Sequence, residues 1–178
     1  MGTASEDVAY GLTVVSNDNS TQFIYLTGYT KGDPWNVIGN PDNETNSGNT
    51  DAFLLRYYDN STLGPYLHWT VLLGTSSAEV GRSVTVDSSD NLYLTGDNSS
   101  TSGNYDAFLA KYSRSNPSSP TWVRYMSTSS GEYGYGVVVN SDSHIYAVGN
   151  TGGDLDNNSN SGLQDVFLFK YADNGTKQ

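Results

Sequence analysis

Three acidic strings return along the chain. They read DNETNSGNTDAFL from Asp42, DNSSTSGNYDAFL from Asp97 and DNNSNSGLQDVFL from Asp156. Each pairs one Asp with a second at a fixed spacing: Asp42 with Asp51, Asp97 with Asp106, and Asp156 with Asp165. Carboxylates set among Asn, Ser and backbone carbonyls are hard oxygen donors, the ligand type that calcium prefers. The third string is the richest. There GGDLDNNSNSG puts Asp154 and Asp156 two residues apart, with Asn158 following and Asp165 closing the set. These four are the candidate calcium ligands. They lack the D-x-D-x-D-G ligand order and the distant bidentate Glu of a calcium-binding loop of the EF-hand type. The same strings also read as wide turns. Asp and Asn bond their own backbone, and Gly48, Gly103 and Gly162 offer positive φ.

A second chemistry overlaps the first. Asn43, Asn98 and Asn157 each begin an N-x-[ST] sequon within the strings, and Asn19, Asn60 and Asn174 begin three more in expected hairpin turns. All six are candidate glycan acceptors in a secreting host. Catalysis has little to stand on. The chain holds two histidines, His68 and His144, and nothing in the sequence brings them together. No Ser sits in a G-x-S-x-G elbow. The Asp residues fall mainly in turns, whereas a tuned carboxylate pair needs a buried pocket. The expectation is a protein without enzymatic activity.

Charge narrows the partners. Eight Lys and Arg face nineteen Asp and Glu, a formal net charge of -11. Nucleic acid and anionic membranes both require a basic patch, so neither is an expected partner. The absence of Cys removes disulfides, thiolate zinc sites and cysteine nucleophiles. No apolar run reaches the roughly eighteen residues that a membrane-spanning helix needs.

The elements that must position these residues form a repeat. Segment a is AYGLTVV from Ala9, GRSVTV from Gly81 and GYGVVV from Gly134. Segment b is FIYLTG from Phe23, NLYLTG from Asn91 and HIYAVG from His144. Segment c is DAFLLRY from Asp51, DAFLAKY from Asp106 and DVFLFKY from Asp165. Segment d is LHWTVLLG from Leu67 and TWVRYMS from Thr121, with no third copy after Tyr171. The spacing is 53 residues between Gly81 and Gly134 and between Trp69 and Trp122. The first repeat is lengthened by the insertion YTKGDPWNVIGNP. Short apolar runs between polar turns read as strands, so the fold class is all-β. Segment c is apolar on both faces, which requires cover on both sides. Four-stranded meanders stacked face to face supply that cover, as β-propeller blades do. The blades run over about 8–74, 79–128 and 132–178, the last without its outer strand.

The strings GRSVTVDSSDNLYLTG, DAFLAKY and Trp122 carry a resemblance. They resemble the bacterial beta-propeller repeat family of the seven-bladed type, whose members recur as G-x-[AS]-V-x-V-D, N-x-Y-[LV]-[TA]-G, D-A-F-[LV]-x-K-[YL] and then Trp. The resemblance covers nearly the whole chain from about Ala9. It implies secreted or cell-surface proteins and says little about activity. Three blades do not close a ring, because propellers use about four to eight. The expectation is completion by further blades or by copies of the same chain. Two three-bladed halves could close a ring, or head-to-tail contacts could build an open filament. The expected work is structural or adhesive. The alternative is a carbohydrate- or protein-binding propeller with calcium-stabilised loops. In that reading Trp35, inside the first insertion, is the candidate contact with a surface protein or glycan. Arg56, Lys111 and Lys170 recur at one position of segment c. They are expected to pair with a turn Asp or to extend their stems along a blade edge. Trp69 and Trp122 are expected to pack between blades.

Overall fold

The computed structural model describes residues 3–16, 21–33, 45–60, 62, 64–99 and 103–178. Trp35, Asn19 and Asn43 lie outside the described residues. The chain divides into two compact units, Met1–Gly81 and Arg82–Gln178. Among the described residues there are eleven strands in three antiparallel sheets and no helix, so the chain is all-β with propeller-blade sheets.

The first unit holds one sheet in the order β1 (Asp7–Ser16), β2 (Thr21–Thr30), β3 (Asp51–Asn60) and β4 (Gly64–Leu73). Strand β5 (Glu79–Val86) starts at the unit boundary. It leads the second sheet, followed by β6 (Asn91–Ser99), β7 (Tyr105–Ser113) and β8 (Trp122–Met126). The third sheet has β9 (Glu132–Val139), β10 (Ile145–Thr151) and β11 (Asp165–Tyr171), with β10 in the middle. Segments a to d are therefore successive strands of meanders, as the period-2 patterns require. Beyond β11 the chain turns back. Gln178 N–H donates to Lys170 O at 2.9 Å, as Thr121 N–H donates to Lys111 O at 2.6 Å where segment d begins in the second sheet.

Local chemistry fixes the hairpins. In the second sheet Asp87 Oδ1 accepts from the N–H groups of Ser89 and Asn91, each at 2.8 Å. In the third, Asn140 Oδ1 accepts from Asp142 and His144 N–H. Asp90 (φ 64°) and Ser143 (φ 60°) take the left-handed residue of each turn. The glycine that ends segment b answers to a different demand. Strand β1 carries a bulge opposite Gly28, and a Cβ there would lie 1.8 Å from Val8 O. At Gly149, opposite the β9 bulge, a Cβ would lie 2.0 Å from Tyr133 O. No side chain fits at either place.

Each unit has its own core. In the first, Phe53, Leu55 and Tyr57 of β3 gather Ile24, Leu26, Leu67 and Leu72. In the second, the core lies between the second and third sheets. Tyr93, Ala107, Leu109 and Met126 on one side meet Val137, Ile145, Ala147, Phe167 and Tyr171 on the other. Segment c thus receives cover on both faces in β7, where Ala107, Phe108, Leu109 and Ala110 are all buried. In β11 only Phe167 and Tyr171 are buried, while Val166 is 80% and Leu168 67% exposed.

Candidate functional site

The joint between the second and third sheets shows what the repeated residues do. Along one face of the second sheet, Tyr93, Thr95 and Asp97 of β6 stand opposite Lys111, Leu109 and Ala107 of β7. All six are buried, five of them at 1% exposure or less. The third sheet lays Val137, Phe167 and Tyr171 against this face. It then reaches over with the turn that follows β11. Lys111 Nζ donates to Asp173 Oδ1 at 2.5 Å. The Tyr93 hydroxyl lies 2.7 Å from the same oxygen and 3.0 Å from Asp87 Oδ2, and its single proton serves one carboxylate at a time. Trp122 Nε1 donates to Asp173 O at 3.1 Å, and Arg124 Nε donates to Gly175 O at 2.8 Å.

The electrostatics follow from this geometry. Hydrogen bonds from Lys111, and then from Tyr93, hold the Asp173 carboxyl below the usual carboxylate range. Burial, reinforced by Asp173 and Asp87, pushes the Tyr93 phenol far above its ordinary value. The buried lysine of segment c therefore does pair with a turn Asp, supplied by the next sheet. Trp122 packs at the same joint, with its ring 6.2 Å from that of Tyr93.

A second device was overlooked in the sequence, although its signal is there. TSSAE from Thr75 and TSSGE from Thr128 are 53 residues apart, and TASED from Thr3 is a relative. Glu132 accepts from both N–H and Oγ1 of Thr128 at 2.6 Å, and from Thr151 Oγ1 at 2.8 Å. Glu79 accepts from both groups of Thr75, and Asp7 from both groups of Thr3 and from Thr30 Oγ1. A carboxylate at the head of each segment a thus staples the loop that precedes it. Glu79 is 2% exposed and Glu132 0%. Burial, and then the neighbouring Asp51 charge, raises the Glu79 pKa. Asp51 is itself fully buried, accepts from Ser47 N–H at 2.9 Å, and leaves Oδ1 without a partner. Burial raises its pKa as well.

The acidic strings are turns wired by their own side chains. Asn160 donates N–H to Asp154 Oδ1 at 2.8 Å and its amide to Thr151 O at 3.0 Å. Ser161 N–H donates to Asp165 Oδ2 at 2.8 Å. Asn46, Asp33 and Asp51 repeat these bonds in the first sheet. Asp156 pairs with Lys177, and Asn158 donates its side-chain amide to Leu155 O and Asp156 O. Asp154 and Asp156 line a cleft of about 420 Å³ that also holds Arg124 and Lys177, two cations that oppose entry of a third. Asp97 is buried against Arg82. Among the described residues no three acidic, His or Cys side chains form a metal-holding group.

Positive φ in these strings does not follow the glycines as expected. Gly103 has it, at 86°, but Gly48 and Gly162 do not. Gly48 is required instead by close packing, since a Cβ would lie 2.1 Å from Ser77 O. The left-handed residues of the third string are Asp156 (φ 55°) and Asn157 (φ 61°), the centre of a tight turn closed by Asn158 N–H to Leu155 O.

The sequon asparagines occupy unlike places. Asn157 and Asn174 are exposed on turns. Asn60 ends β3 and accepts from Thr62 N–H at 2.8 Å. Asn98 lies within β6 opposite Asp106, with its Oδ1 buried and unpartnered. The two histidines fall in different units: His68 is exposed on β4 and His144 is half-buried before β10. Partial desolvation of its ring by neighbouring atoms, and then the Arg56 charge, lower the His68 pKa.

At the start of β9, Tyr133 forms a short run of aromatic rings with Tyr135 and with Tyr105 of β7. Its ring centroid is 5.3 Å from Tyr105 and 6.4 Å from Tyr135, which are 37% and 49% exposed.

No curated protein matches the chain. A family model described as Beta-propeller repeat matches residues 68–106, from the middle of β4 through the first residues of β7. That stretch takes in nearly all of segment d, segments a and b and the Asp that opens segment c, so over these residues the chain is similar to the beta-propeller repeat.

Proposed function

We propose that this chain is a non-enzymatic extracellular or cell-surface module with structural or adhesive work, which assembles with copies of itself. One observation carries the reading. Val166 and Leu168 of β11 are 80% and 67% exposed, whereas their repeat equivalents Ala107 and Leu109 are fully buried beneath the next sheet. A face built to be covered is open, and each large aliphatic side chain buried there would contribute about 1.5–3 kcal/mol. Exposed apolar patches of this kind mark interaction surfaces. The charge of -11 and the polar turns keep such a module soluble. Light scattering across a concentration series tests the reading. A mass that climbs from the 19.2 kDa of one chain supports it. A defined dimer points to ring closure, and a mass growing without limit points to a filament. A single-chain mass at every concentration would overturn it.

A second reading, glycan binding, draws support from the Tyr105–Tyr133–Tyr135 run. The exposed Tyr105 and Tyr135 rings offer flat faces for the C–H faces of sugars. Saturable binding on a glycan array, lost in Tyr135→Ala, would favour this reading, and an empty array would remove it.

A further inference from the structure

We infer that the open face of the third sheet docks head-to-tail on the first sheet of a second copy of this chain, with Lys170 and Tyr146 closing on the copy's Asp59. The inference rests on the self-assembly reading and names its surfaces. Its template is the joint between the second and third sheets. There a presenting face (Tyr93, Leu109, Lys111) receives an inserting face (Val137, Tyr171) and an acidic clasp, Asp173.

Moved on by one repeat, the presenting face is Tyr146, Leu168 and Lys170. Cross-strand pairing puts Val138, Tyr146 and Lys170 in one row, and Val148 and Leu168 in the next. Val138 is 60% exposed and Leu168 67%, so the face is uncovered. Lys170 has no ion-pair partner among the described residues, whereas its equivalent Lys111 has Asp173.

The inserting face has its equivalent in the first sheet. Counted from the acidic residue that opens segment a, Leu12 holds the place of Val137. It is 63% exposed where Val137 is 4%. Leu12, Leu26 and Leu55 form one row across the sheet, Val14, Ile24 and Tyr57 the next, and Ser16, Gln22 and Asp59 the one after. Asp59 follows Arg56 by three residues, as Asp173 follows Lys170, and it shares the face of Leu55 and Tyr57 by strand alternation. Phe53 and Tyr57 are already buried in the first sheet's own cluster, so Leu12, Val14 and Asp59 would make the new contact. Charge complementarity selects this occupant. Lys170, half-buried beside Tyr146, has no ion pair among the described residues, and the same chain offers a carboxylate at the same count along segment c, held in β3 where Asp173 stands in a turn. Docking a sheet by a one-repeat shift is heterologous, so it builds rings or filaments rather than a symmetric pair.

Charge reversal tests the pairing. Lys170→Glu and Asp59→Lys are each made in the full chain, with folding checked by circular dichroism. Association is then measured by light scattering and sedimentation. Each single variant is expected to weaken association about tenfold or more, and an equimolar mixture of the two to restore it. Leu168→Asp, on an exposed position that leaves the fold intact, is expected to abolish it. If the wild type assembles but Asp59→Lys has no effect, the open face meets another surface, its own equivalent included, and this inference fails alone. If the wild type never assembles, the self-assembly reading falls and takes the inference with it.

Discussion

Leu109→Ala and Leu168→Ala change the same repeat position in neighbouring sheets and should differ sharply. Leu109 is fully buried at the joint, so its truncation loses the transfer energy and leaves a cavity, together about 3 kcal/mol within the usual range of 2–5. Leu168 is 67% exposed, so roughly a third of the side chain's burial is at stake, under about 1 kcal/mol. The assay is urea unfolding at a dilution where light scattering reports a single chain, followed by near- and far-ultraviolet circular dichroism. The midpoint should fall steeply for Leu109→Ala and hardly move for Leu168→Ala, with unchanged slopes. Equal losses would mean that β11 is covered on both faces within one chain, and the argument for an open docking face would fail. A neutral Leu109→Ala would mean that the joint is not packed as described.

Other outcomes follow from the same structure. Glu132→Gln should cost about 1–3 kcal/mol in the same urea assay, because an amide cannot accept from all three donors that Glu132 holds. Asp51 and Glu79 have folded-state pKa values raised mainly by burial, so the folded state binds more protons than the unfolded one above about pH 4. Their contribution is complete below that pH and is lost as pH rises through the raised values. The melting temperature should therefore climb on mild acidification from neutral pH, and Asp51→Asn should flatten the climb; an unaltered slope in that variant would refute the burial account. Calcium and EDTA should leave the melting temperature unchanged, since Asp154, Asp156 and Asp165 are engaged in turns and an ion pair. A rise with calcium would instead support a metal role for those loops.

Much of this protein is legible in its residues one by one. The 53-residue spacing from Trp69 to Trp122, the alternation in DAFLAKY and the polar hairpin turns determine strands, meanders and repeat without any distant contact, because each signal is local to a few residues. The recurrent base of segment c has two roles open to it in the sequence, a pair with a turn Asp or a stem laid along a blade edge, and Lys111 takes the first. The TSSAE and TSSGE staples were just as local and repeat at the same spacing, but short polar strings resemble ordinary loop composition. Tertiary structure decided the rest. Gly48 is a glycine because Ser77 O approaches it from another segment, which φ preference alone does not reveal. The sequons at Asn98 and Asn157 align in sequence, yet one sits in a strand ladder and the other on a turn, because the loop lengths before them differ. Ala107 and Val166 likewise occupy one place in the repeat, and what separates them is the sheet that packs on the first and not on the second. Burial is a property of neighbours brought from far along the chain, so no local pattern can assign it.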